Sequence, residues 1–331
     1  MFAVVVPTPG GPQAMLWQEV DEVSPAPGEV VIDVVAAGVN RADVLQRRGF
    51  YPPPVGFTDV LGLECSGIVA ELGEGVTSVC VGDRVCALLS GGGYAQRVAV
   101  PVGQVMPIPD GLDLVTAASL PEVACTVWSN LMDVADLQRG DWVLLHGGAG
   151  GIGSHAIQIA KAFKAKVAVT VGTDAKAQWC RELGADLAIN YREKDFVEKV
   201  KRATGGRGVD VILDNMGAKY LGRNVDALAA DGRLIVIGLQ GGVVGELNLG
   251  QLLGKRASIH ATSLRNRSAE EKADICSEVV ELVWPLVESG RVLPIVDTVL
   301  PITEVAQAHE RMESSEHIGK IVLRVGAELM P

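Results

Sequence analysis

The sequence is short of basic residues, of closely spaced cysteines and of long apolar runs, and each shortage removes a class of function. Lys and Arg total 29 against 40 Asp and Glu, leaving a formal net charge of −11. Nucleic acids and anionic membrane surfaces are met by broad basic faces, so neither is an expected partner. No apolar run approaches the roughly 20 residues of a membrane span, and no charged-then-apolar leader opens the chain. The expectation is a cytoplasmic protein without membrane attachment. Six cysteines (Cys65, Cys80, Cys86, Cys125, Cys180 and Cys276) are scattered without a CxxC pair. They read as free buried thiols rather than a disulfide scaffold or structural zinc cluster. The five histidines (His146, His155, His260, His309, His317) show no ligand spacing, so no metal site is expected. No internal repeat or low-complexity segment is present.

What the chain has is size, apolar content and glycine. Its 331 residues exceed the length at which one hydrophobic core stops growing, which predicts two domains. Hydrophobic residues at 48 % and 39 glycines fit a globular α/β enzyme. The organising stretch is Trp142–Gly153, WVLLHGGAGGIG. A short apolar run leads into a glycine turn, and Ile152, Ala156, Ile159, Ala160 and Phe163 then follow at helical spacing. Gly148, Gly150 and Gly153 fit GxGxxG: the first for the tight turn, the second for backbone approach to a pyrophosphate, the third for close helix–strand packing. Gly151, Gly153 and Ala156 offer a second register further past the strand. The free N–H groups and positive dipole end of the helix would face phosphates.

Before this stretch, from Phe2 to about Leu120, short β-branched runs alternate with Gly/Pro turn clusters, the pattern of a partly closed barrel. Asn40–Arg48 interrupts it as a helical turn, followed by GFYPPPVGF, whose three prolines keep a loop extended. After it, helix and strand alternate strictly: strands at Val167–Val171, Leu187–Asn190, Val209–Leu213 and Arg233–Ile237, with helices between. That rotation predicts a doubly wound parallel sheet. Ala269–Glu288 reads as a long helix, and Ile295–Val325 returns to the first domain. The fold class is therefore α/β, with residues 123–266 a dinucleotide-binding domain inserted between 1–122 and 267–331.

The second strand decides the cofactor. Sites for NADH usually end it with an acid on the adenine ribose; here it ends Thr170-Val171-Gly172-Thr173. The next acid, Asp174, reads as the cap of the following helix. Gly172 leaves room for a 2′-phosphate, with Lys176 and Tyr191 to bind it, although a solvated helix lysine and a strand-end aromatic are the plain alternatives. NADPH is the expected cofactor.

The stretches AGVNRADVLQRRGFYPPP, LGLECSGIVAELG, GDRVCALLSGGGYAQ, HGGAGGIGSHAIQIAKAF, LGADLAINYREKDF, GRLIVIGLQGG and HIGKIVL cover nearly the whole chain. Together they resemble the medium-chain dehydrogenase/reductase superfamily, and within it the zinc-free NADPH:quinone oxidoreductases of the p53-inducible branch. The resemblance implies a Rossmann domain inserted in a GroES-like domain, and a cofactor cleft where the two meet. Zinc alcohol dehydrogenases carry Cys where this chain has Asn40 and His where it has Leu63, leaving Glu64 alone. By the same resemblance Asn40 and Thr126 flank the nicotinamide and its ribose, and Gly150, Gly151 and Ile152 cradle the pyrophosphate. Gly172, Thr173, Lys176 and Tyr191 hold the 2′-phosphate. Asn215, Gly217, Gly238, Leu239 and Gln240 contact the cofactor from the ends of sheet strands, Ser263, Leu264 and Arg265 contact it near the last strand, and Lys320 reaches across the cleft. A homodimer or tetramer paired through Ile259–Ser263 is implied as well.

Hydride transfer to a quinone leaves negative charge on oxygen, which needs a donor. Tyr51, a phenol in the YPPP loop, is the candidate alongside Asn40; the alternative for Tyr51 is a loop aromatic packed on prolines. The expected activity is zinc-independent reduction of quinones by NADPH. The rival within enzymes is reduction of an activated C=C bond in an enone or enoyl thioester, with Arg41, Arg47 and Arg48 near the loop. A non-enzymatic NADPH-binding or RNA-binding protein is the reading from another class.

Overall fold

A computed structural model describes residues 1–325. The chain divides into two compact units, one formed by Met1–Cys125, Leu264–Gly290 and the segment from Pro294, the other by Thr126–Ser263 with Arg291–Leu293. The expected insertion at 123–266 thus has its joints at Cys125 and Ser263, and the expected end at 331 lies outside the described residues.

The inserted unit is built on six parallel strands in the spatial order Leu187–Asn190, Lys166–Val171, Trp142–His146, Val209–Asp214, Leu228–Val236, Ser258–Ala261. Numbered along the chain this is 3-2-1-4-5-6, so the order reverses beside Trp142–His146, where open α/β sheets bind ligands. Val209–Asp214 is buried at every residue, as a strand covered on both faces by helices must be. Leu144, Ala168, Ile189, Ile212 and Leu234 carry its core.

The other unit holds a seven-stranded, mostly antiparallel sheet centred on Glu29–Val39, an 11-residue strand that pairs with Glu64–Leu72, Arg97–Pro101 and the returning Lys320–Arg324. The last pairing brings the C-terminal segment back into the first unit. Register shifts between Val31 and Ile32 and between Val34 and Ala36 mark bulges that curl the sheet, consistent with the partly closed barrel. The stretch expected as one long helix, Ala269–Glu288, is continuous but widens to a π turn at Val279–Val283 before Pro285. Proline lacks the N–H that an unbroken α ladder needs there. Among the described residues no helix is long and apolar enough to cross a membrane.

Candidate active site

In the inserted unit the glycine turn forms as strand, loop and helix, with its labour divided differently from expectation. The tight turn belongs to Gly147, at φ +76°. A Cβ on Gly148 would sit 2.6 Å from Val169 Cβ, and one on Gly153 would collide with the Gly147 carbonyl. Gly148 and Gly153 are therefore both close-approach positions, and assigning the turn to Gly148 was off by one residue. Gly147 N and Gly148 N both donate to Thr170 O, at 3.1 and 3.0 Å, which fastens the loop to the neighbouring strand. Gly150 stands at the N-cap of helix Gly151–Ala162, which no side chain caps. The first-turn N–H groups of Gly151 and Ile152 remain for an anion, and a Cβ on Gly150 would meet Gly147 O at an ordinary 3.6 Å, pointing otherwise into open space. This cradle fits a pyrophosphate.

At the tip of Lys166–Val171, a Cβ on Gly172 would lie 3.2 Å from the Tyr191 hydroxyl and 3.6 Å from Arg192 Nε. Lys176 is half-buried one helical turn on. The helix is capped by Thr173, whose Oγ1 accepts from Lys176 N at 3.2 Å. Asp174 is not the cap as expected; its Oδ1 accepts from Asn190 Nδ2 at 3.2 Å. Short β-branched Thr173 sits at the residue where the extended strand turns helical, which is where a cap must be. The tip therefore carries a hydroxyl, a phenol and two cations, and its nearest acid is turned to Asn190. Arg192 was missed in the sequence reading, although it stands beside Tyr191 in NYRE.

Asn215 and Gly217 on one side, and Gly238, Leu239 and Gln240 on the other, close into one double loop. Gln240 N donates to Asn215 O, Gly241 N to Met216 O and Ala218 N to Gly242 O, at 3.2, 2.7 and 3.1 Å. The Asn215 amide packs 2.9 Å from where a Gly147 Cβ would stand, and its Oδ1 is buried without a partner. A polar atom left this way is costly unless a ligand completes it. Thr126 and Ser263 lie at the two joints, and buried Asn130 links their neighbourhoods: its Nδ2 donates to Thr126 O at 2.8 Å and its Oδ1 accepts from Thr262 Oγ1 at 2.6 Å. Beneath the glycine turn, buried His146 bonds Thr170 Oγ1 and Asn224 Oδ1, and burial pushes it down to about 4. It serves as a neutral structural donor and acceptor.

In the other unit, Asn40 and Lys320 come together. Lys320 Nζ donates to Glu64 Oε1 and Asn40 Oδ1, both at 2.6 Å, and Asn40 Nδ2 donates to Glu64 Oε1 at 2.9 Å. Glu64 Oε2 accepts from Glu122 N at 2.9 Å, and the carboxylate fills the space a Gly38 Cβ would occupy. Lys320, expected to reach across the cleft, is held by a buried carboxylate of its own unit. Where zinc enzymes place ligands, an ammonium ion already satisfies the acid.

A buried polar chain runs on from this group. Asn40 N donates to Asp43 Oδ2 at 2.8 Å and Gly62 N to Asp43 Oδ1 at 3.1 Å. The Tyr94 hydroxyl lies 3.3 Å from both Asp43 Oδ2 and His309 Nε2, and His309 Nδ1 lies 3.3 Å from Arg47 Nη1. Arginine can only donate, so Nδ1 accepts and the proton sits on Nε2. Burial raises Asp43 to about 6 and, with Arg47 and Arg41 adding to it, lowers His309 to about 3.

Tyr51 and Arg265 also meet. The Arg265 guanidinium lies 5.2 Å from the Tyr51 ring centre, Nη1 donates to Tyr51 O at 3.4 Å, and Nε donates to Ser90 O at 2.9 Å. Ser90 Oγ in turn accepts from Lys272 Nζ at 2.6 Å. Ser90 and Lys272 were not singled out from the sequence; a lysine inside a helix reads as solvated until the fold buries it. Leu264, expected beside the cofactor, is a buried core residue of this unit.

The chain matches two family models, "Alcohol dehydrogenase GroES-like domain" over residues 26–110 and "Zinc-binding dehydrogenase" over residues 151–281. It is 35 % identical to a 2-haloacrylate reductase of Burkholderia sp, over 98 % of both chains. It is 33 % identical to the quinone oxidoreductase of Rattus norvegicus, over 95 % of this chain and 94 % of that one. Among solved structures, Escherichia coli quinone oxidoreductase complexed with NADPH superposes with a TM-score of 0.88 at 31 % identity, covering 98 % of this chain and 100 % of that one. Fold, strand order and glycine turn agree with these relationships: the chain belongs to the medium-chain dehydrogenase/reductase family of oxidoreductases.

Proposed function

We propose that this protein uses NADPH to reduce an electron-poor conjugated acceptor, with quinones as the first class. The observation that carries the cofactor is the tip of the second strand: Gly172 under Tyr191 and Arg192, with Lys176 beside it and Asp174 bound to Asn190. A 2′-phosphate finds cations there, and no carboxylate at position 172 repels it. Gly150, Gly151 and Ile152 hold the pyrophosphate through backbone N–H groups, and Asn215 Oδ1 offers an acceptor at the strand-order reversal. When bound, NADPH supplies the hydride. The protein's part is to orient the acceptor, exclude water and stabilise charge developing on oxygen, with Tyr51 the donor at the acceptor. Asn40, committed to Glu64 and Lys320, acts as a positioning residue.

A second reading, reduction of an activated C=C bond, is favoured by the cationic environment of Tyr51 and by the kinship with a 2-haloacrylate reductase. The Ser258–Ala261 strand ends the parallel sheet and is half-exposed, which supports pairing with a second copy of the chain. Sedimentation tests that pairing.

The test of function is NADPH oxidation with a small para-quinone and, separately, an enone, each with and without a chelator. Quinone turnover that ignores the chelator is expected, since Lys320 holds the Glu64 carboxylate a metal would need. Turnover confined to the enone moves the activity to C=C reduction. NADPH binding without either turnover overturns the enzymatic reading.

A further inference from the structure

Arg265 and Lys272 are both nearly sealed from solvent, at 5 % and 2 % exposed, and both converge on Ser90. Lys272 Nζ donates to Ser90 Oγ; Arg265 donates to the Ser90 and Tyr51 carbonyls; Arg265 Nη2 is buried with no partner. Among the described residues no carboxylate accepts a hydrogen bond from either cation. Glu122 attracts both electrostatically, and Asp43 attracts Arg265. Glu271, on the same helix as Lys272, is spent on capping through Ser268 N at 2.8 Å and on Arg267 at 3.7 Å. Two aromatics of the proline-rich loop cover the pair, Tyr51 over Arg265 and Phe57 at 5.6 Å over Lys272. Rings hold a cation weakly compared with an anion.

Two buried cations side by side, one with an unused donor, are expensive to maintain. We propose that Arg265 and Lys272 form a recognition site for the carboxylate of the acceptor, which makes an α,β-unsaturated carboxylate a substrate class of this enzyme. The inference rests on the reductase reading and narrows it.

The chemistry explains why two cations are needed. Hydride adds to the β-carbon, the C=C π pair moves toward the carboxylate, and the oxygens approach a dianion. The α-carbon then takes a proton, giving the saturated carboxylate and NADP+. A carboxylate already bears charge, so it resists hydride unless positive charge is preorganised on its oxygens. A guanidinium offers the planar fork for both oxygens, and Lys272 adds a point charge.

The test uses the full chain with NADPH and compares kcat/KM for 2-chloroacrylate, its neutral amide and 1,4-benzoquinone in wild type, K272Q and R265Q. The expected result is saturable 2-chloroacrylate turnover whose ratio to benzoquinone turnover falls at least about tenfold in each variant. K272R is expected to recover part of it, and melting curves check folding. An unchanged ratio in both variants, with benzoquinone still reduced, overturns the inference while leaving the reductase reading intact. If no acceptor is reduced, that reading fails and calorimetry with 2-chloropropionate decides the site. Binding weakened at least about tenfold in K272Q supports it; no binding to wild type overturns it. Tighter binding of inorganic phosphate than of 2-chloropropionate overturns the carboxylate assignment in favour of a phosphate-bearing ligand.

Discussion

Lys320 Nζ lies 2.6 Å from Glu64 Oε1, with the two side chains 5 % and 0 % exposed. The pair ties the returning C-terminal strand to the centre of the first unit's sheet, and Asn40 completes it from the start of helix Arg41–Arg47. Removing the lysine alone strands a buried carboxylate. Lys320→Met is expected to lower unfolding stability by about 3–5 kcal/mol. Glu64→Gln added to Lys320→Met should restore much of the loss, because the isosteric amide carries no charge to strand. Urea denaturation of the single and double variants measures both. A single variant within about 1 kcal/mol of wild type would show the pair to be nearly neutral.

Arg192 and Lys176 are the two cations that the NADPH reading places at the 2′-phosphate. Arg192→Ala or Lys176→Ala is expected to weaken NADPH binding by about tenfold each, with NADH binding changed less than about twofold, since charge-assisted contacts to a phosphate are lost only where the phosphate exists. Fluorescence titration with each nucleotide reads the ratio. Equal losses for both nucleotides would place these cations elsewhere.

Most of the inserted unit was legible in the sequence, because strict helix–strand alternation and the glycine turn are local patterns with period and spacing. Gly150, Gly172 and Tyr191 stood out for the same reason. What escaped were assignments made by neighbours far along the chain. Thr173 and Asp174 compete for one cap, and only the position of Asn190 shows that Asp174 is otherwise engaged. Lys320 reads as a cation reaching across a cleft until Glu64 is found 256 positions away. Lys272 and Ser90 are 182 apart in sequence, so no spacing rule could have joined them.

The buried titratable groups set a pH dependence of two opposing parts. Burial lowers His146 and His155 to about 4 and His309 to about 3, against 6.5 when unfolded. Their stabilisation is complete above 6.5 and drains as the pH falls toward 4. Burial raises Asp43 and Asp214 to about 6 from 3.8, so their contribution is complete below 3.8 and lost as the pH rises through 6. Between pH 6 and 4, three protons taken up by histidines on unfolding minus two released by aspartates leave about one, a slope of about 1.4 kcal/mol per pH unit. Asp43→Asn removes one of the released protons. Its slope in that window should rise to about 2.7 kcal/mol per pH unit. Denaturation series at several pH values measure it, and a slope equal to wild type would mean that Asp43 ionises normally.

Tyr51 lies in a loop whose three prolines restrict it, and its ring rests against Arg265. The two features separate experimentally. Tyr51→Phe keeps the ring, and with it the cover over the guanidinium, but removes the donor for charge on the acceptor. A lost donor of this kind typically costs about 10²-fold in kcat when it is a principal contact. A loop tyrosine whose proton competes with water should cost less, about tenfold, with NADPH affinity changed much less. Tyr51→Ala also uncovers Arg265, so it should add a rise in KM for 2-chloroacrylate that Tyr51→Phe lacks. Steady-state kinetics with a quinone and with 2-chloroacrylate, and NADPH titration of each variant, distinguish the outcomes. Unchanged kcat in Tyr51→Phe together with a raised KM in Tyr51→Ala would assign this residue to covering the cation, and the proton would then come from water.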